Sequence, residues 1–68
     1  MPRLTWRRKR GQANCFEGFA GLHWYRVSQT GEHWYWYFQS SERQSRPYLD
    51  AESAMAGAQR HFEEVNCG

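Results

Sequence analysis

The chain has 68 residues, a formal net charge of +2 and four each of Trp, Tyr and Phe. At this length it forms one domain at most, which buries only about 60% of the surface of its unfolded chain, so large aromatic side chains must supply much of the core. No apolar run approaches the roughly 20 residues of a membrane span, and no apolar stretch follows the N-terminal charges as in a secretory signal. We therefore expect a cytoplasmic protein with no membrane partner, in which Cys15 and Cys67 are reduced thiols.

The N-terminal segment concentrates the positive charge. Five of the nine basic residues fall in the first ten positions with no acid among them, whereas the rest of the chain carries four Arg against seven acids. We interpret residues 1–11 as a basic arm, in which the alternation of Leu4 and Trp6 with polar residues also permits a short edge strand. Such an arm suits a polyanion, through phosphate neutralisation, and it equally fits a plain solvated tail. Its basic residues are Arg3, Arg7, Arg8, Lys9 and Arg10.

Residues 12–68 are expected to form one small sheet-and-helix domain. The stretch QANCFEGFAG, residues 12–21, has two glycines and no clear period, and it predicts a loop with Phe16 and Phe19 resting on the core. Residues 22–40 predict a β-hairpin, because aromatic and β-branched residues favour strands and Thr30-Gly31 suits a tight turn.

The C-terminal part is predicted to contain a polar loop, a short edge strand at residues 47–49 and a helix from Asp50 to about Asn66, with Asp50 as its N-cap. The inward helix face has small and apolar residues at helical spacing. These are Ala51, Met55, Ala58, Phe62 and Val65. The fold class is α+β: a three-stranded antiparallel sheet, to which an N-terminal strand can add a fourth, packed against one C-terminal α-helix.

The length of the hairpin turn decides which rings face the helix. An even-length turn pairs Val27 with Trp34 and Tyr25 with Trp36, which puts the more apolar face under the helix. An odd-length turn would direct Arg26 into that core, where an unpaired charge is costly. We therefore predict the even-length turn. The predicted helix-side residues are His23, Tyr25, Val27, Trp34, Trp36 and Phe38.

The opposite face is predicted to stay open and to present Trp24, Arg26, Tyr35 and Tyr37. Aromatic and basic side chains on a small sheet can stack nucleic-acid bases, and Trp, Tyr and Arg also dominate the hot spots of protein interfaces. The alternative is that apolar residues of the first twenty positions fold across this face and cover it. Those residues are Leu4, Trp6, Phe16 and Phe19.

The residue patterns of catalytic and cofactor sites are missing from the sequence. The histidines and cysteines have no CxxC or HxxxH spacing, so we expect no metal site. There is no glycine-rich phosphate loop, no GxSxG motif and no pair of acids at a predicted pocket. We expect neither an enzyme nor a cofactor. The residues considered as metal ligands are His23, His33, His61, Cys15 and Cys67.

Two resemblances bear on function. The order of sheet then helix from Leu22 to Val65, with a GEHWYWY strand after the turn, resembles the arm-type DNA-binding domain at the N-terminus of lambda-like phage integrases. In that family the sheet enters the DNA major groove, which implies that the predicted open face contacts the duplex. The LTW near the start, the WYW strand and the AESAMAGA helix are similar to small phage and prophage proteins of unknown function. This second resemblance spans most of the chain and implies a phage-type origin and a bacterial host cell.

The leading hypothesis is a phage-type accessory protein that binds DNA through the basic arm and the open face. The alternative is a protein-binding inhibitor of bacterial host machinery, including CRISPR surveillance complexes, that uses the same face together with the acidic helix residues Glu52, Glu63 and Glu64. A homodimer that buries its own aromatic face is a third hypothesis.

Overall fold

The computed structural model describes residues 3–39 and 43–66, with the backbone alone for Asn66. In these residues a four-stranded antiparallel sheet of order β1-β2-β3-β4 is followed by one helix, which packs on β3 and β4. The predicted α+β class, with the N-terminal strand as an added strand of the sheet, is confirmed. The elements are β1 (Thr5–Arg8), β2 (Cys15–Ala20), β3 (His23–Thr30), β4 (His33–Phe38) and α1 (Ala51–Asn66).

Strand β2 corrects the sequence interpretation, because the loop predicted over residues 12–21 is wrong for Cys15–Ala20. Gly18 interrupts the apolar pattern of this strand. It lies opposite Trp6 of β1, and a Cβ atom at Gly18 would be 2.8 Å from Cε3 of Trp6. The indole ring therefore fills the place of the missing side chain, and a period-2 pattern read along β2 alone cannot show this.

The turn between β3 and β4 has even length, as predicted, but the pairing differs by two residues. Gly31, with φ 66°, is the first residue of a two-residue turn, and Thr30 pairs with His33 across it. Val27 consequently pairs with Trp36, so the predicted pairing register is wrong. Because side chains alternate with a period of two, a shift of two residues leaves both faces as predicted.

Helix α1 begins after the predicted cap. The backbone N–H of Ser53 donates a hydrogen bond of 2.7 Å to Oδ1 of Asp50, and this bond lowers the pKa of the Asp50 carboxyl group. Ala54, Ala58 and Phe62 are the buried residues of the helix. Val65 was expected on the inward face and is 49% exposed, so that assignment is wrong.

The core between α1 and the sheet is built around Tyr25, which is fully buried. The Tyr25 hydroxyl is hydrogen-bonded to Nδ1 of His61 at 2.7 Å, and burial raises the pKa of Tyr25 to about 12. Leu4 joins the same core and its N–H donates to Oε1 of Gln59, so the N-terminal segment is attached to the helix. The other core members are Ala58 and Phe62, with Trp6, Ala20, Trp36 and Phe38 packed against them.

The segment 43–48 covers the outer edge of β4. Trp34 and Tyr48 exchange two backbone hydrogen bonds of 2.8 Å, and the N–H of Ser45 donates to the carbonyl of Trp36 at 3.0 Å. The edge strand predicted at residues 47–49 is reduced to this single bridge. No helix within residues 3–39 and 43–66 combines the length and the apolar character that crossing a membrane requires.

Candidate functional site

The sheet face opposite α1, which we call the open face, carries three cross-strand rows of side chains from three or four strands, and Thr30 and His33 form a shorter fourth row beside the turn. Cross-strand partners point to the same side of a sheet, so the observed register defines each row. The first row is Thr5, Phe19 and Trp24; the middle row is Arg7, Glu17, Arg26 and Tyr37; the last row is Cys15, Ser28 and Tyr35.

The middle row alternates in charge and ends on an aromatic ring. Glu17 lies between Arg7 and Arg26 in the register, and Arg26 pairs with Tyr37. The guanidinium carbon of Arg26 is 4.4 Å from the centre of the Tyr37 ring, which is close enough for a cation–π interaction. Opposite charges on facing residues of a sheet stabilise the pairing by roughly 0.2–1 kcal/mol. The row therefore places the guanidinium group of Arg26 over a ring near the middle of the sheet.

Tyr37 is only 7% exposed, so the prediction that it is presented to solvent is wrong. Two contacts account for its burial: Arg26 lies over the ring, and Nε2 of Gln44 donates a hydrogen bond of 2.8 Å to its hydroxyl. Tyr37 thus acts as a platform for Arg26. The Nε atom of Arg26 is buried and has no hydrogen-bond partner among the described residues. An unsatisfied buried donor of this kind costs about 1–3 kcal/mol.

The first row combines Trp24, which was predicted on the open face, with Phe19, which was not. Phe19 of β2 pairs with Trp24 of β3, and both side chains are half-buried. The guanidinium carbon of Arg7 lies 4.9 Å from the centre of the Phe19 ring. Phe19 was expected on the core, because residues 12–21 were interpreted as a loop. Its pairing with Trp24, two residues along β2 from Glu17, is what places Phe19 on the open face.

The last row is less charged and more enclosed. Cys15 is a free thiol, 4% exposed, and Tyr35 is half-buried. The N–H of Lys9 donates to the carbonyl of Cys15 at 2.8 Å, so the ladder continues one residue beyond β1 and strand alternation puts Lys9 on the same side as Arg7. Successive rows along a strand are about 6.7 Å apart, so the three rows span roughly 13 Å.

The sheet divides the basic N-terminal residues between its two sides. Arg7 lies on the open face, whereas the guanidinium carbon of Arg8 lies 5.4 Å from the centre of the Phe16 ring on the helix side. Arg3 and Arg10 are exposed, before β1 and in the following turn respectively. The five charges therefore do not form one patch.

The alternative in which Leu4, Trp6, Phe16 and Phe19 fold across the open face and cover it is not what the structure has. Leu4 and Trp6 pack in the core under α1, and Phe16 contacts Trp34 on the helix side, with ring centres 6.1 Å apart. Of the four residues in that alternative, Phe19 alone lies on the open face. Trp24, Arg26 and Tyr35 are accordingly half-buried rather than sealed.

Two other features were considered as sites. A cleft of about 440 Å³ lies between α1 and the segment 43–48, and Trp36, Tyr48, Arg46, Arg60 and His61 are among its lining residues. It is on the helix side and shares no residue with the open face. Within the described ranges, His, Cys, Asp and Glu side chains form no group of three or more that could hold a metal ion. Cys67 lies outside the described residues.

The fold and the open face define a small α+β domain whose sheet is covered by a helix on one side and carries aromatic and basic side chains on the other. Comparison with protein families, curated proteins and solved structures finds no match to this chain. Its function must therefore be argued from the open face.

Proposed function

We propose that this is a phage-type accessory protein that acts by binding rather than by catalysis, and that it binds DNA through the open face. The observation that carries the proposal is the row in which Arg7, Arg26 and the ring of Tyr37 lie on one side of the sheet beside the Phe19–Trp24 pair. Guanidinium groups contact phosphates and stack on planar bases, and aromatic rings stack on bases. This combination suits a nucleic acid better than a purely apolar partner.

The open side carries local positive charge that suits a polyanion. Arg7, Lys9 and Arg26 belong to the open side, with Glu17 as the acidic residue among them. The opposite side is covered by α1, which carries Glu52 and Glu64 as exposed acids. Arg8, Arg46 and Arg60 are also exposed on that side, so a polyanion is attracted to the open face by the local cluster of Arg7, Lys9 and Arg26 rather than by a difference in net charge between the two sides. This attraction weakens as salt rises.

Arg7 and Arg8 offer a matched test, because they are neighbours on β1 with the same charge and opposite orientations. Deleting residues 1–10 would remove a strand of the sheet, so single substitutions are the cleaner experiment. Anisotropy titrations of a labelled DNA over a series of salt concentrations are expected to show a strong salt dependence. Arg7→Ala should reduce the slope of log K against log salt by about 0.7–0.9, since one phosphate contact is lost.

Arg8→Ala is the control, and it should leave the slope closer to that of the unchanged protein. Equal losses in the two variants would show that charge alone, and not the open face, determines binding. A binding constant without salt dependence would contradict the proposal as a whole.

The alternative function, a protein-binding inhibitor of bacterial host machinery, has its own support. Leu22, at the tip of the turn before β3, is 95% exposed and lies two residues from Trp24. Trp, Tyr and Arg, which the open face carries, are enriched in the hot spots of protein interfaces, and Leu22 adds exposed apolar surface close to Trp24 in the sequence. A pull-down from bacterial lysate with and without nuclease separates the two: a partner that survives nuclease treatment and is lost in Leu22→Ser would favour the protein inhibitor. Sedimentation of the purified chain tests the homodimer.

A further inference from the structure

We infer that the open face binds single-stranded rather than duplex DNA, an inference that rests on the proposed function. Three features support it: the width of the sheet, the planar groups at its centre and the position of the cations at its side.

The sheet is too wide to be inserted into a duplex groove. Adjacent strands lie about 4.8 Å apart, so the outer strands of a four-stranded sheet are roughly 14 Å apart before their side chains are added. The major groove of B-DNA is about 12 Å wide and admits a helix or a two-stranded ribbon. The middle row extends from Arg7 on β1 to Tyr37 on β4 and thus uses the full width. A duplex laid on this face would offer its backbone, while its base edges stayed out of reach.

The centre of the open face carries planar groups that a duplex cannot use. Trp24 lies beside Phe19, and the guanidinium carbon of Arg26 lies over Tyr37, 4.4 Å from the ring centre. In a duplex the bases stack on each other, whereas the bases of a single strand are free to stack on aromatic rings and guanidinium planes. Buried Tyr37 supports such stacking on Arg26, because its ring is fixed by the hydrogen bond from Gln44 and holds the Arg26 side chain in place.

The cations lie to one side of these planes. Arg7 and Lys9 belong to the β1 side of the open face, while Trp24, Arg26 and Tyr35 are on β3 and β4. A single DNA strand that runs parallel to the β-strands can therefore keep its phosphates over β1 and its bases over β3 and β4. It can do so for the roughly 13 Å along the β-strands that the three rows cover. Glu17 lies between the two groups in the register, and its negative charge disfavours a phosphate at the centre of the face.

The test compares a labelled oligothymidine of about 12 nucleotides, within the range of site sizes known for small domains, with a duplex of the same length. We expect the single strand to bind at least about tenfold more tightly. Trp24→Leu should weaken oligothymidine binding by about 5- to 150-fold, the range expected for one stacked base, and should weaken duplex binding by a smaller factor. Trp34→Leu is the matched control, since Trp34 is a half-buried tryptophan on the helix side. Thermal denaturation confirms that each variant folds.

Arg26→Lys is a second variant, which keeps the charge and removes the plane. It should weaken oligothymidine binding while the salt slope stays the same, and Trp24→Phe should retain most of the affinity because a ring remains. Stronger binding of the duplex, with its salt dependence intact, would overturn the single-strand inference and leave DNA binding standing. Binding of neither probe would overturn both. Tighter binding of oligouridine than of oligothymidine would overturn the assignment to DNA.

Discussion

The two faces of the sheet bury a tyrosine by different means. On the helix side, Tyr25 is covered by α1 and its hydroxyl meets His61. On the open side, Tyr37 is covered by Arg26 from the next strand and by Gln44 from the segment that follows β4. The first arrangement is part of the core, whereas the second is an arrangement of side chains on the surface. Substitutions on the open face should therefore change binding with little loss of stability, and those on the helix face should do the reverse.

The largest effect is expected from removing a ring under the helix. Phe62 is 2% exposed and belongs to the core cluster, so Phe62→Ala should lower the free energy of unfolding by about 3–5 kcal/mol, through lost burial and the cavity that remains. Phe19→Ala, on the half-buried open face, should cost less than half as much. Urea denaturation monitored by circular dichroism measures both. Similar losses for the two variants would mean that the open face is a second core.

A smaller loss is expected from adding one methyl group where α1 meets the sheet. A Cβ atom at Gly57 would lie 2.9 Å from Nε1 of Trp36 and would overlap the hydroxyl of Tyr48. Alanine favours a helix over glycine by about 0.8–1 kcal/mol, yet Gly57→Ala should be net destabilising, by about 1–3 kcal/mol, because the clash outweighs propensity. Adding Tyr48→Phe should recover part of the loss in denaturant titrations. A simple gain of stability in Gly57→Ala would show that this contact is looser than described.

The smallest effect concerns alkaline pH. Burial raises the pKa of Tyr25 from its usual 10.0 to about 12, so the folded state favours the neutral phenol. Its contribution is fully present below pH 10 and is lost as the pH rises from 10 towards 12. Tyr25→Phe should remove this part of the alkaline loss of stability, seen as a flatter dependence of the denaturation midpoint on pH. An unchanged slope would show that a group other than Tyr25 causes the loss of stability at alkaline pH.

The sequence was sufficient to predict features that depend on local pattern. The faces of β3 and β4 follow from strict alternation, and the start of α1 follows from the capping chemistry of Asp50. Strand β2 was missed because the ring that completes it belongs to Trp6, on a different strand. The pairing register was missed because alternation fixes which face a residue is on, and not which residue lies opposite.

The candidate site was predicted in part. Trp24, Arg26 and Tyr35 were placed on the correct face, while the burial of Tyr37 and the position of Phe19 were not foreseen. The burial of Tyr37 depends on a side chain brought by the segment after β4, and no periodicity contains that information.

Strand β1 has a further consequence for self-association. Among the described residues no strand pairs with the outer edge of β1. That edge is only four residues long and has Arg7 and Arg8 in adjacent positions. Two copies that paired through their β1 edges would bring their guanidinium groups close together and would gain few backbone hydrogen bonds in return. Short, charged edge strands are a known protection against fibril growth. Arg7 and Arg8 at this edge therefore also disfavour extension of the aromatic-rich sheet by a neighbouring copy.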